Sequence, residues 1–149
     1  MSNVNALSKR CLRTVALVAV APLMLACGVV TAAELVALEG TYWRLARLNG
    51  EAVRVAEGTS LPHIALHGDT DRVAGFGGCN RFFGQYSTSG SEISIQPLGG
   101  TRASCSGTDA MEQAFIRALA ASDRYSLNGG QLTLSGGGRQ ILVFEAVAD

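Results

Sequence analysis

Beyond Lys9 this chain has no lysine, and every later basic side chain that is always charged is an arginine. From Cys27 onward nine arginines face twelve acids, a formal net charge of −3. A nucleic-acid partner wants a basic face, so a mildly acidic chain sets that class aside. Composition bias in the source genome is reason enough for the missing lysines. Catalytic signatures are absent as well. No Cys-x-x-Cys spacing marks a redox or zinc centre. No Gly-x-Ser-x-Gly elbow is present, and Ser104, Ser106 and the two histidines make no persuasive triad. Gly75–Asn80, GFGGCN, is glycine-rich but lacks the strand-to-helix context and the Lys-Ser/Thr ending of a phosphate loop. No internal repeat is evident. The expectation is no cofactor, no metal and no catalytic set.

The N-terminus is built for export. Residues 1–13 carry Lys9, Arg10 and Arg13 without an acid, and Thr14 to Ala26 reads TVALVAVAPLMLA. That apolar run has signal-peptide length and falls short of the roughly 20 residues of a spanning helix. It ends in Met24-Leu25-Ala26-Cys27-Gly28, which resembles a bacterial lipobox with Met24 where leucine is usual. On this reading 1–26 is a signal peptide, Cys27 carries the lipid that anchors the protein to a membrane, and 27–39 is a tether. Gly28 in place of Asp favours the outer membrane. Two alternatives stay open. Cleavage after Thr31-Ala32-Ala33 gives a soluble secreted form, whereas extension through Val29 and Val30 leaves an uncleaved anchor weakened by Pro22. All three place the domain in the periplasm or beyond.

The domain proper is expected from about Gly40. Thr41–Leu45 is a first aromatic-rich strand, and the Asn49-Gly50 pair favours a tight antiparallel turn. Strands follow at 63–67, 72–76, 79–87 and 92–95. The apolar period then changes, because Met111, Phe115, Ala118 and Leu119 recur at helical spacing. One helix is predicted near 109–121, with Asp109 as cap and Glu112 in capping-box register. Strands resume at 124–128, 131–134 and 140–145, and Ile141–Phe144 is apolar enough for a sheet centre or a place under the helix. The fold class is α+β: seven or eight mainly antiparallel strands, curved and partly barrel-like, crossed by one helix.

Of four cysteines, Cys11 leaves with the signal peptide and Cys27 is the lipid site. Cys79 and Cys105 remain as a pair in an oxidising compartment, where a disulfide is the default. Free buried thiols, or redox or metal chemistry, stay open beside it. His63 and His67 share one face of a strand about 13 Å apart, too far for one metal, and are expected in solvent. Asn80, among glycines, is expected to bond backbone at the turn that opens the next strand. Phe82 and Phe83 point to opposite faces. One belongs to the core; the other, beside Arg81, offers a peptide or lipid groove if exposed.

Read in order, these blocks resemble the META/HslJ family of bacterial envelope proteins. The resemblance rests on Gly40-Thr41-Tyr42-Trp43, on Gly78-Cys79-Asn80 before a strand ending Gly84-Gln85-Tyr86, and on Thr101 with Cys105 four residues on. Glu112, Phe115 and the closing apolar strand before Glu145 extend it over about 38–146. It implies a small curved sheet crossed by one helix, over 40–147, as a non-enzymatic module without catalytic residues. It also implies a link to stress tolerance in the envelope and an unidentified envelope protein or peptide as partner. A lipid or small-ligand carrier that uses the barrel interior is the alternative.

Overall fold

In a computed structural model, residues 36–55 and 57–147 are described. The export segment 1–26, Cys27, the cut after Ala33 and most of the tether lie outside them. The described residues belong to the compact unit Ala32–Asp149. Among them no helix is long and apolar enough to cross a membrane.

The elements are β1 (Tyr42–Leu48), β2 (Glu51–Ala52), β3 (His63–His67), β4 (Arg72–Phe76), β5 (Arg81–Ser89) and β6 (Glu92–Gly100), followed by α1 (Asp109–Ala120), β7 (Arg124–Asn128), β8 (Gln131–Gly136) and β9 (Arg139–Val147). The fold is α+β, and the described residues form nine strands where seven or eight were expected. The addition is β2, which is too short and too polar to show a pattern. It exists because Asn49 and Gly50 both take positive φ, 50° and 87°, and fold Glu51 and Ala52 back onto Leu48 and Arg47. β6 runs five residues beyond the predicted Ile95, since Pro97 breaks the alternation without ending the pairing with β5.

All neighbouring strands are antiparallel, in the order β2-β1-β3-β4-β5-β6-β7-β8-β9, and β9 also pairs with β1. The sheet thus curls into a ring that is not quite a barrel. Its weak joint is β6–β7, where a single residue pair, Glu92 with Arg124, is in register. Past that point β6 has no strand neighbour on its second side among the described residues, and α1 packs against this stretch. Pro97, with no N–H to offer, lies on the open stretch and makes it a poor template for further pairing.

Alternation decides the core. Trp43, Leu45, Ile64, Leu66, Val73, Phe82, Tyr86, Ile93, Ile95, Leu132, Leu134, Leu142 and Phe144 point inward and are buried. Phe115 and Leu119 of α1 fill what remains, with the Phe115 ring edge-on to Phe82 at 5.9 Å and tilted against Phe144 at 6.1 Å. Fully burying side chains of this size contributes about 1.5–3 kcal/mol each before entropy is counted. The interior is therefore a packed core.

The core begins at Leu38, inside the segment read as tether. The Trp43 indole Nε1 donates to the Leu38 carbonyl at 2.9 Å, and Leu38 is buried with it. One residue on, Glu39 Oε1 accepts from the Tyr86 hydroxyl at 2.7 Å, so residues 36–39 close this end of the ring. Burial first, then the Glu39 hydrogen bond and the nearby charges of Glu39, Asp71 and Asp69, hold the Tyr86 phenol well above its ordinary range. The unfolded phenol loses its proton near pH 10 while the folded one keeps it, so stability falls as pH rises past about 10. Urea unfolding across that range is expected to show the fall in the wild type and a shallower one in Tyr86→Phe. Tyr42, whose phenol burial also raises, supplies a residual slope. Equal slopes in the two proteins would reject the assignment.

Candidate functional site

The block from Gly75 to Tyr86 crosses from β4 to β5 through a turn at 77–80, closed by the Gly77 amide donating to the Asn80 carbonyl at 2.8 Å. Gly78 takes φ +112°, which an L side chain rarely adopts, and a Cβ at Gly77 would run into the Glu112 side chain. The glycines thus let α1 come down onto the turn backbone. At that contact Glu112 Oε2 accepts from the amides of Cys79 at 3.1 Å and Asn80 at 2.6 Å, and Oε1 accepts from Asn80 Nδ2 at 2.8 Å.

This corrects the reading of the helix start. Thr108 is the N-cap and makes no side-chain cap, while Asp109 is the first helical residue, its Oδ1 accepting weakly from the Cys105 amide at 3.4 Å. Glu112 does not reach back along its own helix. Two backbone donors and an amide already point at its carboxylate from the turn, and that set outcompetes a single cap N–H.

Asn80 does more than shape its own turn. Its Oδ1 accepts from the Ala103 amide at 2.7 Å and the Thr101 hydroxyl at 3.0 Å, and its Nδ2 also donates to the Ala103 carbonyl at 3.0 Å. The side-chain amide thereby pairs with both backbone groups of Ala103, as a neighbouring strand would. Thr101 completes the link: its Oγ1 accepts from the Arg81 amide at 3.1 Å, and its own amide donates to the Arg81 carbonyl at 2.9 Å. A disulfide then joins Cys79 to Cys105, with 5.9 Å between the Cα atoms. Gly78, Cys79, Asn80, Thr101 and Cys105, which the sequence singled out, are brought to one place, and Glu112 stands at its centre.

Asn80, Thr101 and Glu112 each find hydrogen-bond partners within the cluster. Among the described residues, no buried side-chain nitrogen or oxygen lacks a partner. The two sulfurs are tied to each other, and Asn80 uses both ends of its amide. The arrangement clamps β4–β5, the 101–105 loop and the start of α1 together.

The remaining candidates separate. Phe82 is core, so it belongs to no outer surface, whereas Arg81 and Phe83 are exposed on the outside of β5. His67 is in solvent as expected. His63 faces the same way but is half-buried, its ring packed 4.3 Å from Tyr42 and 5.7 Å from Phe76. Among the described residues, no group of three or more His, Cys, Asp or Glu converges as metal ligands would.

Removing Glu112 leaves three donors facing a half-buried cleft. Glu112→Ala is expected to cost about 2–3 kcal/mol. Opening the disulfide, which closes a loop of 26 positions, is expected to cost about 3.5 kcal/mol on the chain-entropy argument. Both hold the same loop, so Glu112→Ala combined with Cys105→Ser should show coupling of at least about 0.5 kcal/mol in urea unfolding. A Glu112→Ala protein as stable as wild type would remove the clamp.

Three comparisons bear on kinship. No curated protein matches the chain. Among solved structures, an NMR structure of a protein from Burkholderia xenovorans is similar at 28% identity and TM-score 0.62, covering 75% of this chain and 85% of that one. A second NMR structure, at 23% identity and TM-score 0.58, covers 74% of this chain and 95% of its own, and supports the fold alone. Residues 36–148 match the META domain family, which takes in the ring, the helix and the Glu112 cluster together. The chain belongs to the META domain family.

Proposed function

We propose that this META domain is a non-enzymatic binding or stabilising module of the bacterial envelope, carried on a lipid attached to Cys27. The observation that carries the reading is where side chains are spent. The ring interior is filled by Trp43, Phe115, Phe144 and their neighbours, and the side chains of the polar cluster bond to one another and to nearby backbone. The outer surface is what remains to act. The disulfide inside the domain fits an oxidising compartment. The basic residues, short apolar run and lipobox-like Met24–Gly28 supply the export route, and Gly28 favours outer-membrane sorting. A contribution to stress tolerance, with an envelope protein or peptide as partner, is part of the same proposal and rests on the family resemblance. The filled interior counts against the carrier alternative, because a bound lipid would have to displace those rings.

Palmitate labelling of the full chain is expected to give a lipid adduct in wild type and none in Cys27→Ala; label retained by the variant would remove the anchor. Pull-down of the native protein from membranes, with and without stress, tests the binding role, and recovery of the bare chain under both conditions would count against it.

A further inference from the structure

We propose that the outer face of β1, β3, β4 and β5 rests on an anionic phospholipid surface. Cross-strand register builds one row over this face: Val147, Tyr42, Ala65, Ala74, Phe83 and Gly99 stand opposite one another in turn from β9 to β6. Leu98 sits beside Gly99 at the bulge that ends the row. Among the described residues, the exposed large apolar side chains are Tyr42 at 40%, Phe83 at 49%, Leu98 at 61%, Val147 at 36% and Leu127. All but Leu127 lie in this one row or, for Leu98, directly beside it. Scattered exposed apolar residues are ordinary, but here Val147 and Tyr42 at one end and Phe83 at the other share one cross-strand row with only Ala65 and Ala74 between them.

Charge points the same way. β1, β3, β4 and β5 contain Arg44, Arg47, Arg72 and Arg81 and no carboxylate, in a chain whose part beyond Cys27 is net negative. Glu145 of β9 pairs with Arg44 at 3.1 Å, and Asp69 and Asp71 lie past the strand ends in the β3–β4 turn. Aromatic and aliphatic side chains flanked by arginines match a bilayer interface, where rings sit at headgroup depth and guanidinium groups meet phosphates. The outside of a ring is convex, so it presents no groove to an extended peptide. A deformable lipid surface follows it more readily.

The chain also leads there. Gly40 is hydrogen-bonded to Leu66 at 2.9 Å, and Tyr42 of the row follows two residues later. Cys27 is nine residue steps before Val36, a reach of about 30 Å at full extension. The placement rests on the lipid-anchor reading, whereas the binding does not. An anchor alone leaves the domain free to tumble, and a docked face would turn α1 and β7–β8 away from the membrane.

The unit from Ala32 onward carries the whole core, Leu38 to Phe144, and lacks Cys27, so it reports on the face without the anchor. It is expected to cosediment with phosphatidylglycerol–phosphatidylethanolamine vesicles, to do so less as salt rises, and to ignore phosphatidylcholine. Phe83→Ser with Leu98→Ser should lower the partition coefficient about ten-fold or more. Arg72→Glu should lower it several-fold, and Leu127→Ser should leave it unchanged. Circular dichroism checks that each variant is folded. No binding of the wild-type unit to the anionic vesicles, equal binding to neutral ones, or no loss in the double variant would overturn the proposal. In the full chain, a photo-crosslinking residue in place of Phe83 should yield lipid adducts; protein adducts instead would assign the face to a protein partner. Loss of palmitate label with vesicle binding intact would remove the anchor and leave the face standing.

Discussion

The Glu112 carboxylate is the contact on which the arrangement depends. A curled sheet whose β6 and β7 share one residue pair has an open seam, and α1, the one helix among the described residues, must be held against that seam to complete the core. Apolar packing of Phe115 and Leu119 supplies adhesion but little direction, since the hydrophobic effect is non-directional. Direction comes from three hydrogen bonds aimed at one side chain from the β4–β5 turn. The disulfide and Asn80 then fix the 101–105 loop that leads into the helix, so the seam is covered by an element tethered at its first turn.

This division of labour separates the two faces of the sheet. Inside, alternation delivers large side chains until the ring is full, and the helix contributes the last of them. Outside, the same alternation leaves Tyr42 and Phe83 in solvent beside arginines, with alanines between them. Tyr42 packs on His63 and Phe83 lies over Gly99, yet both rings keep much of their surface in solvent.

Much of this was legible beforehand. Strands β3, β4 and β7 fall where turn residues place them, because each is short and bounded by glycine, proline or a polar turn; β3 and β4 also carry an alternating buried face, whereas β7 has only the half-buried Tyr125. Helix α1 was legible from its one apolar stripe. The motif residues from Gly78 to Cys105 were marked, yet their joint purpose was not. Asn80 sits among glycines, so a local turn was the economical reading, whereas its amide pairs with Ala103, 23 positions away. Glu112 stood in register for a capping box, and nothing local shows that a turn over 30 residues earlier presents it with better donors.

The outer row illustrates the same limit. Each strand shows in its own sequence which side chains share a face, so Tyr42 opposite in sense to Trp43, and Phe83 to Phe82, follow from period two alone. Which residues become neighbours across strands depends on register, and register is settled by hairpin geometry, bulges and the closing β1–β9 pair. The sequence by itself determined the class of fold, which side chains of an alternating strand share a face, the place of helix α1 and the two cysteines left to pair. Only the tertiary structure decided that Glu112 binds a turn and that the ring is filled. It alone lined up four separate apolar side chains, because those outcomes depend on contacts between segments distant in the chain.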